Sequence, residues 1–171
     1  MPGRNAVSLL EDDELATNIG EALVARAGRV AIAETTAGGL ISARLLSVPG
    51  ASRWFERGVV AYSGPAKIDG LGVDREVLRE HGAVSPQAVS AMAESLRERA
   101  GVAYAVAESG IAGPQGSRRS PKPVGSCVIA VAGPGGTVAE EHVFEGTRVE
   151  VMGQIAERAL EMLREALAAG Q

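Results

Sequence analysis

The chain has 171 residues, 46% of them apolar and 22% charged, and a net charge of −4. That size suits a single soluble domain whose core needs no disulfide or metal staple. The acidic balance argues against a nucleic-acid partner, which needs basic clusters to neutralise phosphates, and no apolar run approaches the roughly 18 residues of a membrane span.

Aromatic residues make up only 3% of the chain, so the core must be built from Ala, Val, Leu and Ile. The single cysteine, Cys127, excludes an internal disulfide and a thiolate zinc cluster. It lies in an apolar run and reads as a buried core residue rather than a reactive thiol. Arg118-Arg119 sits in a polar loop and reads as solvated. The stretch from Met1 to Asn5 has no apolar signal core, so a cytoplasmic location is expected. No internal repeat or low-complexity segment is apparent. The expectation is one domain over residues 1–171, with its core at about residues 11–168.

From Leu9 to Ala27, apolar residues at Leu15, Ile19, Leu23, Val24 and Ala27 follow helical spacing. Glu11, Asp12, Asp13 and Glu14 suit the dipole of a first turn, and Gly28 supplies a stop. Arg29–Ala33 reads as a buried strand. Thr35, Thr36, Gly38 and Gly39 then lie on a strand-to-helix turn before a helix over Leu40–Val48, which Pro49-Gly50 ends. The first N–H groups of a helix are unpaired and favour negative charge. A hydroxyl there is either an ordinary cap or a nucleophile facing an anion hole.

Trp54-Phe55 is either a hydrophobic plug under a loop or a subunit contact. Arg57–Tyr62 reads as a strand, and Ser63-Gly64-Pro65 turns it into a short helix carrying Lys67. Asp74–Glu80 reads as another short helix. Ser85 and Pro86 open a longer one as N-cap and first residue, with Val89, Met92, Ala93 and Leu96 on its apolar face. Val102–Ala107 is a strand leading into the polar turn Glu108–Pro114, and residues 115–122 form a loop. Val124–Ala132 and Thr137–Phe144 read as a hairpin joined by Gly133-Pro134-Gly135-Gly136. A last helix spans about Thr147 to Ala168, with Val151, Ile155, Ala159, Met162, Leu163 and Leu167 along one side.

Strands alternate with helices for two-thirds of the chain, and a hairpin and a long helix follow. That order predicts a three-layer αβα sandwich with a mixed, mostly parallel sheet. Parallel strands bring their carboxyl-end turns to one rim, where α/β proteins meet ligands. The groups on offer are Glu34, Thr35, Thr36, Tyr62, Ser63, Lys67, Glu108 and Ser109. His81 and His142 lie off these turns and read as surface or partly buried residues rather than bases. There is no histidine pair at ligand spacing, no GxxxxGK[ST] loop and no GxGxxG fingerprint, so no metal or cofactor is indicated. A hydroxyl nucleophile with a lysine base remains. Lysine serves only if burial or a neighbouring charge lowers its pKa. Composition alone favours Lys67 as a solvated residue on a helix surface.

Several stretches together resemble one family. They are Ala33-Glu34-Thr35-Thr36-Ala37-Gly38-Gly39, Gly50-Ala51-Ser52-Arg53-Trp54-Phe55-Glu56-Arg57-Gly58 and Tyr62-Ser63-Gly64-Pro65-Ala66-Lys67, followed by Gly82-Ala83-Val84-Ser85, Ser109-Gly110-Ile111-Ala112-Gly113-Pro114, Lys122-Pro123-Val124-Gly125 and Gly146-Thr147-Arg148. Their order and spacing resemble the C-terminal domain of the competence/damage-inducible CinA proteins, which also occurs alone as nicotinamide-nucleotide amidase (PncC).

The resemblance implies a metal-independent, cofactor-free amidase that converts nicotinamide mononucleotide to nicotinic acid mononucleotide and ammonia. It implies Thr35 as the nucleophile, where the family carries serine, with Lys67 as its base and Tyr62 beside it. It also implies a substrate site of Thr36, Gly38, Gly39, Ser63, Ser109, Gly110 and Arg148, the arginine matching phosphate oxygens. Thr36 stands where the family has cysteine, and Ala37 where it has threonine. Threonine keeps the hydroxyl, but its methyl restricts χ1. A non-catalytic nucleotide-binding paralogue is therefore the alternative. The resemblance further implies the stand-alone form of the domain and a homo-oligomer, with a small-molecule nucleotide as the partner rather than nucleic acid or membrane.

Overall fold

The computed structural model describes residues 13–114 and 120–170. The N-terminal stretch through Asp12 and the Arg118-Arg119 pair lie outside the described residues. Helix α1 (Glu14–Ala25) begins at Asp13, whose carboxylate accepts the Ala16 N–H at 3.0 Å. Its buried positions are Ala16, Ile19, Gly20 and Leu23, whereas Val24 and Ala27 are exposed, contrary to expectation. The stop also differs. Ala27, not Gly28, takes the left-handed conformation at φ +49°, while its N–H reaches the Val24 carbonyl and the Gly28 N–H reaches that of Leu23. These are the paired bonds of a Schellman ending.

Strand β1 (Val30–Glu34) follows, then helix α2 (Leu40–Leu46) and a single 3₁₀ turn at Ala51–Arg53. Next come β2 (Phe55–Val60), α3 (Gly64–Leu71), α4 (Arg75–His81), α5 (Pro86–Ala100) and β3 (Tyr104–Gly110). The hairpin β4 (Ser126–Gly133) and β5 (Gly136–Val143) and the long α6 (Arg148–Ala169) complete the chain. Side-chain caps set several helix starts as expected of Ser, Thr and Asp: Ser63 for α3, Asp74 for α4, Ser85 for α5 and Thr147 for α6.

The sheet order is β2-β1-β3-β4-β5. Strands β2, β1 and β3 pair in parallel, and β4 pairs antiparallel with both β3 and β5. The ladders thus divide evenly, although β4 alone runs against the other strands. One boundary matters for the site. The turn expected from Glu108 onward is still strand, because Glu108, Ser109 and Gly110 pair with Ile129, Val128 and Cys127.

Helices cover both faces. Val30, Ile32, Val106 and Ile129 point to one face, against Ile19, Ile41 and Leu163 of α1, α2 and α6. Ala31, Ala33, Ala105, Ala107 and Ala130 point to the other, against Val89, Met92 and Leu96 of α5 and Leu71 of α3. This is the predicted αβα sandwich. Cys127 is buried, and burial together with the nearby Glu108 charge pushes its thiol pKa up, so it is an inert core residue. Trp54 is 1% exposed and lies edge-on to Phe55 at 6.4 Å, so it is a plug and offers no surface to a subunit contact. His142 is half-buried on β5, stacked on Phe144 and paired with Glu140, while His81 is exposed. No helix among the described residues is long and apolar enough to cross a membrane.

Candidate functional site

The carboxyl ends of β1, β2 and β3 lie side by side because those strands are parallel neighbours. Two hydrogen bonds hold their exits together beyond the ladder. The Ala61 N–H donates to the Glu34 carbonyl at 2.8 Å, and the Thr35 hydroxyl donates to the Glu108 carbonyl at 3.1 Å. Thr35 and Thr36 are both buried, with their hydroxyl oxygens 3.3 Å apart. Gly38 and Gly39 have φ values of +66° and +104°, which side chains rarely adopt, so the turn itself demands glycine at both.

The N–H groups of this turn are not open as expected. Gly39 and Ile41 donate to Glu34 Oε2 at 2.8 and 3.1 Å. Ser42 donates its N–H (2.9 Å) and its hydroxyl (2.6 Å) to Glu34 Oε1. Glu34 thereby caps α2 from the preceding strand. Thr35 and Ala37 donate their N–H groups to Glu108 Oε1 at 2.5 and 2.9 Å. Both glutamates are fully buried.

The origin of this pair is visible in the register. Ala31-Ile32-Ala33-Glu34-Thr35 and Ala105-Val106-Ala107-Glu108-Ser109 occupy adjacent parallel strands, with Ala31, Ile32 and Ala33 opposite Ala105, Val106 and Ala107. The next positions are the two glutamates, so they stand side by side at the strand ends. Two buried carboxyl groups in contact distance of each other's field do not both ionise freely. Glu34 accepts four hydrogen bonds, whereas Glu108 Oε2 is buried with no partner among the described residues. Of the two, Glu108 is therefore the one that takes up a proton. Burial first, then the Glu34 charge, raises its pKa to about 7 against the pull of the turn N–H groups.

Lys67 is 3% exposed, which overturns the solvated reading. Its Nζ donates to the main-chain carbonyls of Ala61 (2.9 Å) and Tyr62 (3.1 Å) at the exit of β2. Burial lowers its pKa below the ordinary 10.5, and the Glu108 charge offsets this only in part. A neutral amine has two N–H groups and one lone pair. With both N–H groups given to carbonyls, the lone pair is left as an acceptor.

Tyr62 is exposed, and its hydroxyl accepts a hydrogen bond at 3.3 Å from Arg148, at the start of α6. Arg148 also donates to the Gly113 carbonyl at 2.6 Å, so it ties the exits of β2 and β3 at the mouth of the rim. Two residues of the expected site also have structural duties. The Ser63 hydroxyl accepts the Ala66 N–H as the α3 cap. Gly110 lies against β4, where a Cβ would stand 2.8 Å from the Ser126 carbonyl oxygen. Ser109 is a buried strand residue opposite Val128. The hydroxyls at 35 and 36 thus sit among Glu34 and Glu108, with Lys67 bound to the neighbouring Ala61–Tyr62 peptides. Both carboxylates are among the rim groups expected from the sequence but not in the site that the resemblance implies, and the repeated Ala-x-Ala-Glu-[Ser/Thr] pentapeptide is the sequence signal that marks them.

A family model described as the CinA C-terminal domain matches residues 12–167. A "CinA-like protein" of Anaeromyxobacter sp. (strain K) is 46% identical over 155 residues, covering 91% of this chain and 38% of that protein. The chain thus spans well under half the length of such relatives. Among solved structures, the competence damage-inducible protein A (ComA) of Klebsiella pneumoniae superposes with a TM-score of 0.88 at 34% identity, covering 92% of this chain and 98% of that one. The competence/damage inducible protein CihA of Agrobacterium tumefaciens gives 0.84 at 37% identity, covering 90% and 93%. With the rim, its glycine turn and its buried lysine in the same order as the motifs above, the chain belongs to the CinA C-terminal domain family.

Proposed function

We propose that the protein is an amidohydrolase that releases ammonia from nicotinamide mononucleotide, with Thr35 as nucleophile and Lys67 as base. The observation that carries this reading is Lys67. It is a buried amine with a lowered pKa, bonded to two carbonyls rather than paired with a carboxylate. A solvated surface lysine has no use for such a setting, and a general base requires it. In the reaction, the Thr35 oxygen bonds to the carboxamide carbon while its proton passes to the Lys67 amine. The C–N bond breaks as that proton moves to the departing nitrogen, giving ammonia and an ester on Thr35. Water then hydrolyses the ester to the pyridine carboxylate and free Thr35. Arg148, exposed at the mouth with donors to spare, suits the nucleotide phosphate.

A second reading is a nucleotide-binding protein without turnover. It is favoured by the Thr35 hydroxyl, which spends its hydrogen on the Glu108 carbonyl. The deciding experiment is ammonia release from nicotinamide mononucleotide by the unmutated protein, Thr35→Ala and Lys67→Ala. Turnover that is lost in both variants supports the amidase. No turnover from neutral to alkaline pH, with a melting temperature raised by the nucleotide, replaces it with the binding reading.

A further inference from the structure

We propose that Glu108 is a positioning residue that makes the Thr35 turn selective for a neutral carboxamide over a carboxylate, because its own carboxylate already occupies the turn's N–H groups. The proposal deepens the amidase reading and rests on it for the identity of the ligand.

Glu108 holds Thr35 from two sides. Its main-chain carbonyl takes the hydroxyl hydrogen, and its Oε1 takes the main-chain N–H of Thr35 and that of Ala37. Both N–H groups belong to the nucleophile's own turn and point inward to a carboxyl that is fully buried. While Glu108 is ionised, a second carboxylate at Thr35 meets like charge in a buried setting and finds its donors taken. A carboxamide oxygen carries no full charge and escapes the repulsion. Once hydrolysis has turned the amide into a carboxylate, the same repulsion favours its departure. Protonation on Oε2 removes the charge, weakens the hold of Oε1 on the two N–H groups, and lifts the discrimination.

The charged and titratable groups facing Glu108 are few. Glu34 on β1 stands beside it, Lys67 on α3 lies within its field, and Cys127 on β4 stays protonated. Lys67 is therefore the one cation acting on it among the described residues, and Glu34 the one anion. The carboxyl titrates near 7, so the switch falls in the working range of a cell.

The test uses ¹H–¹⁵N spectra of the full chain, unmutated and Glu108→Gln, across the pH range around neutrality. Glutamine keeps an oxygen for the two N–H groups and loses the charge. Without ligand, the Thr35 and Ala37 amides of the unmutated protein are expected to shift with an inflection near 7 that Glu108→Gln abolishes. With nicotinic acid mononucleotide, the affinity of the unmutated protein is expected to fall about tenfold per pH unit above that inflection. The affinity for nicotinamide mononucleotide is expected to show no such slope, and Glu108→Gln to remove the difference. Amides that do not titrate in the unmutated protein, or that titrate alike in the variant, overturn the positioning role. Equal pH slopes for the acid and the amide overturn the selectivity. If neither nucleotide binds either protein, the selectivity and the nucleotide reading fall together, and the ligand-free titration still decides whether Glu108 governs the turn.

Discussion

Replacing Glu108 with glutamine should flatten the pH dependence of stability, and the size of the effect follows from where the proton sits. The carboxyl titrates at 4.5 in an unfolded chain and at about 7 in the fold. The folded state holds the proton more tightly, so folding takes a proton up. The stabilisation is whole below pH 4.5 and is lost as pH rises to about 7, beyond which it does not change further. The difference between the two titration points corresponds to about 3 kcal/mol. Glutamine presents an oxygen to the Thr35 and Ala37 N–H groups and an amide where Oε2 stands. Protonated Glu108 likewise leaves one buried O–H without a partner, so the two side chains are close to isoenergetic at low pH, within about 1 kcal/mol. At pH about 8 the variant should be the more stable by about 2–3 kcal/mol. Urea unfolding followed by far-UV circular dichroism, at pH values between about 4.5 and 8, reads this as a midpoint difference that grows with pH at constant m. Titrating groups outside the field of Glu108 are common to both proteins and cancel. Asp13 works in the opposite sense at lower pH. Burial raises its pKa, but the Arg44 bonds outweigh this and leave it lowered, so its contribution is lost as pH falls. Two stability curves that run parallel across the range would refute the assignment of the proton to Glu108.

Gly20→Ala should destabilise the protein by about 1–2 kcal/mol despite the usual helix gain of about 1 kcal/mol, because overpacking a buried ring costs more. The added Cβ would stand 2.8 Å from Cζ2 of buried Trp54, and a lower thermal midpoint checks it. Gly58→Ala would place its Cβ on Ser42 Oγ and turn that hydroxyl away from Glu34, at a cost of about 2 kcal/mol for a bond to a charged group. A double-mutant cycle with Ser42→Ala should therefore show strong non-additivity, and full additivity would refute the link. Arg44→Ala should cost about 2 kcal/mol, since Arg44 joins Asp13 of the α1 cap to Glu157 of α6 from a largely buried position. Its denaturant midpoint should lose much of its sensitivity to acid in the range where Asp13 titrates.

Much of this architecture is legible from residue order alone, because periodicity and capping are local. The face of α5, its cap at Ser85 and the glycine hairpin all follow from neighbours within a few residues. The failures share a cause, which is a partner far along the chain. Glu108-Ser109-Gly110 has the composition of a turn, yet it is strand because β4 arrives to pair with it. Ala27 takes the left-handed position that Gly28 next door would fill more easily, while Gly28 is buried against Ala103 and Leu23. Composition alone makes Lys67 look solvated, and the packing of α3 over the β2 exit buries it. The same holds for the turn that first suggests an anion hole. Local rules leave its N–H groups unpaired, and two glutamates brought into register by parallel pairing then take them. Burial, with the Glu34 charge beside it, raises the Glu108 carboxyl, whose Oε2 has no donor among the described residues. Glu108 also holds the Thr35 hydroxyl, through its main-chain carbonyl. A Thr35→Ser variant that fails to raise ammonia release, while Glu108→Gln changes it, would show that the carboxyl and not the threonine methyl limits the site.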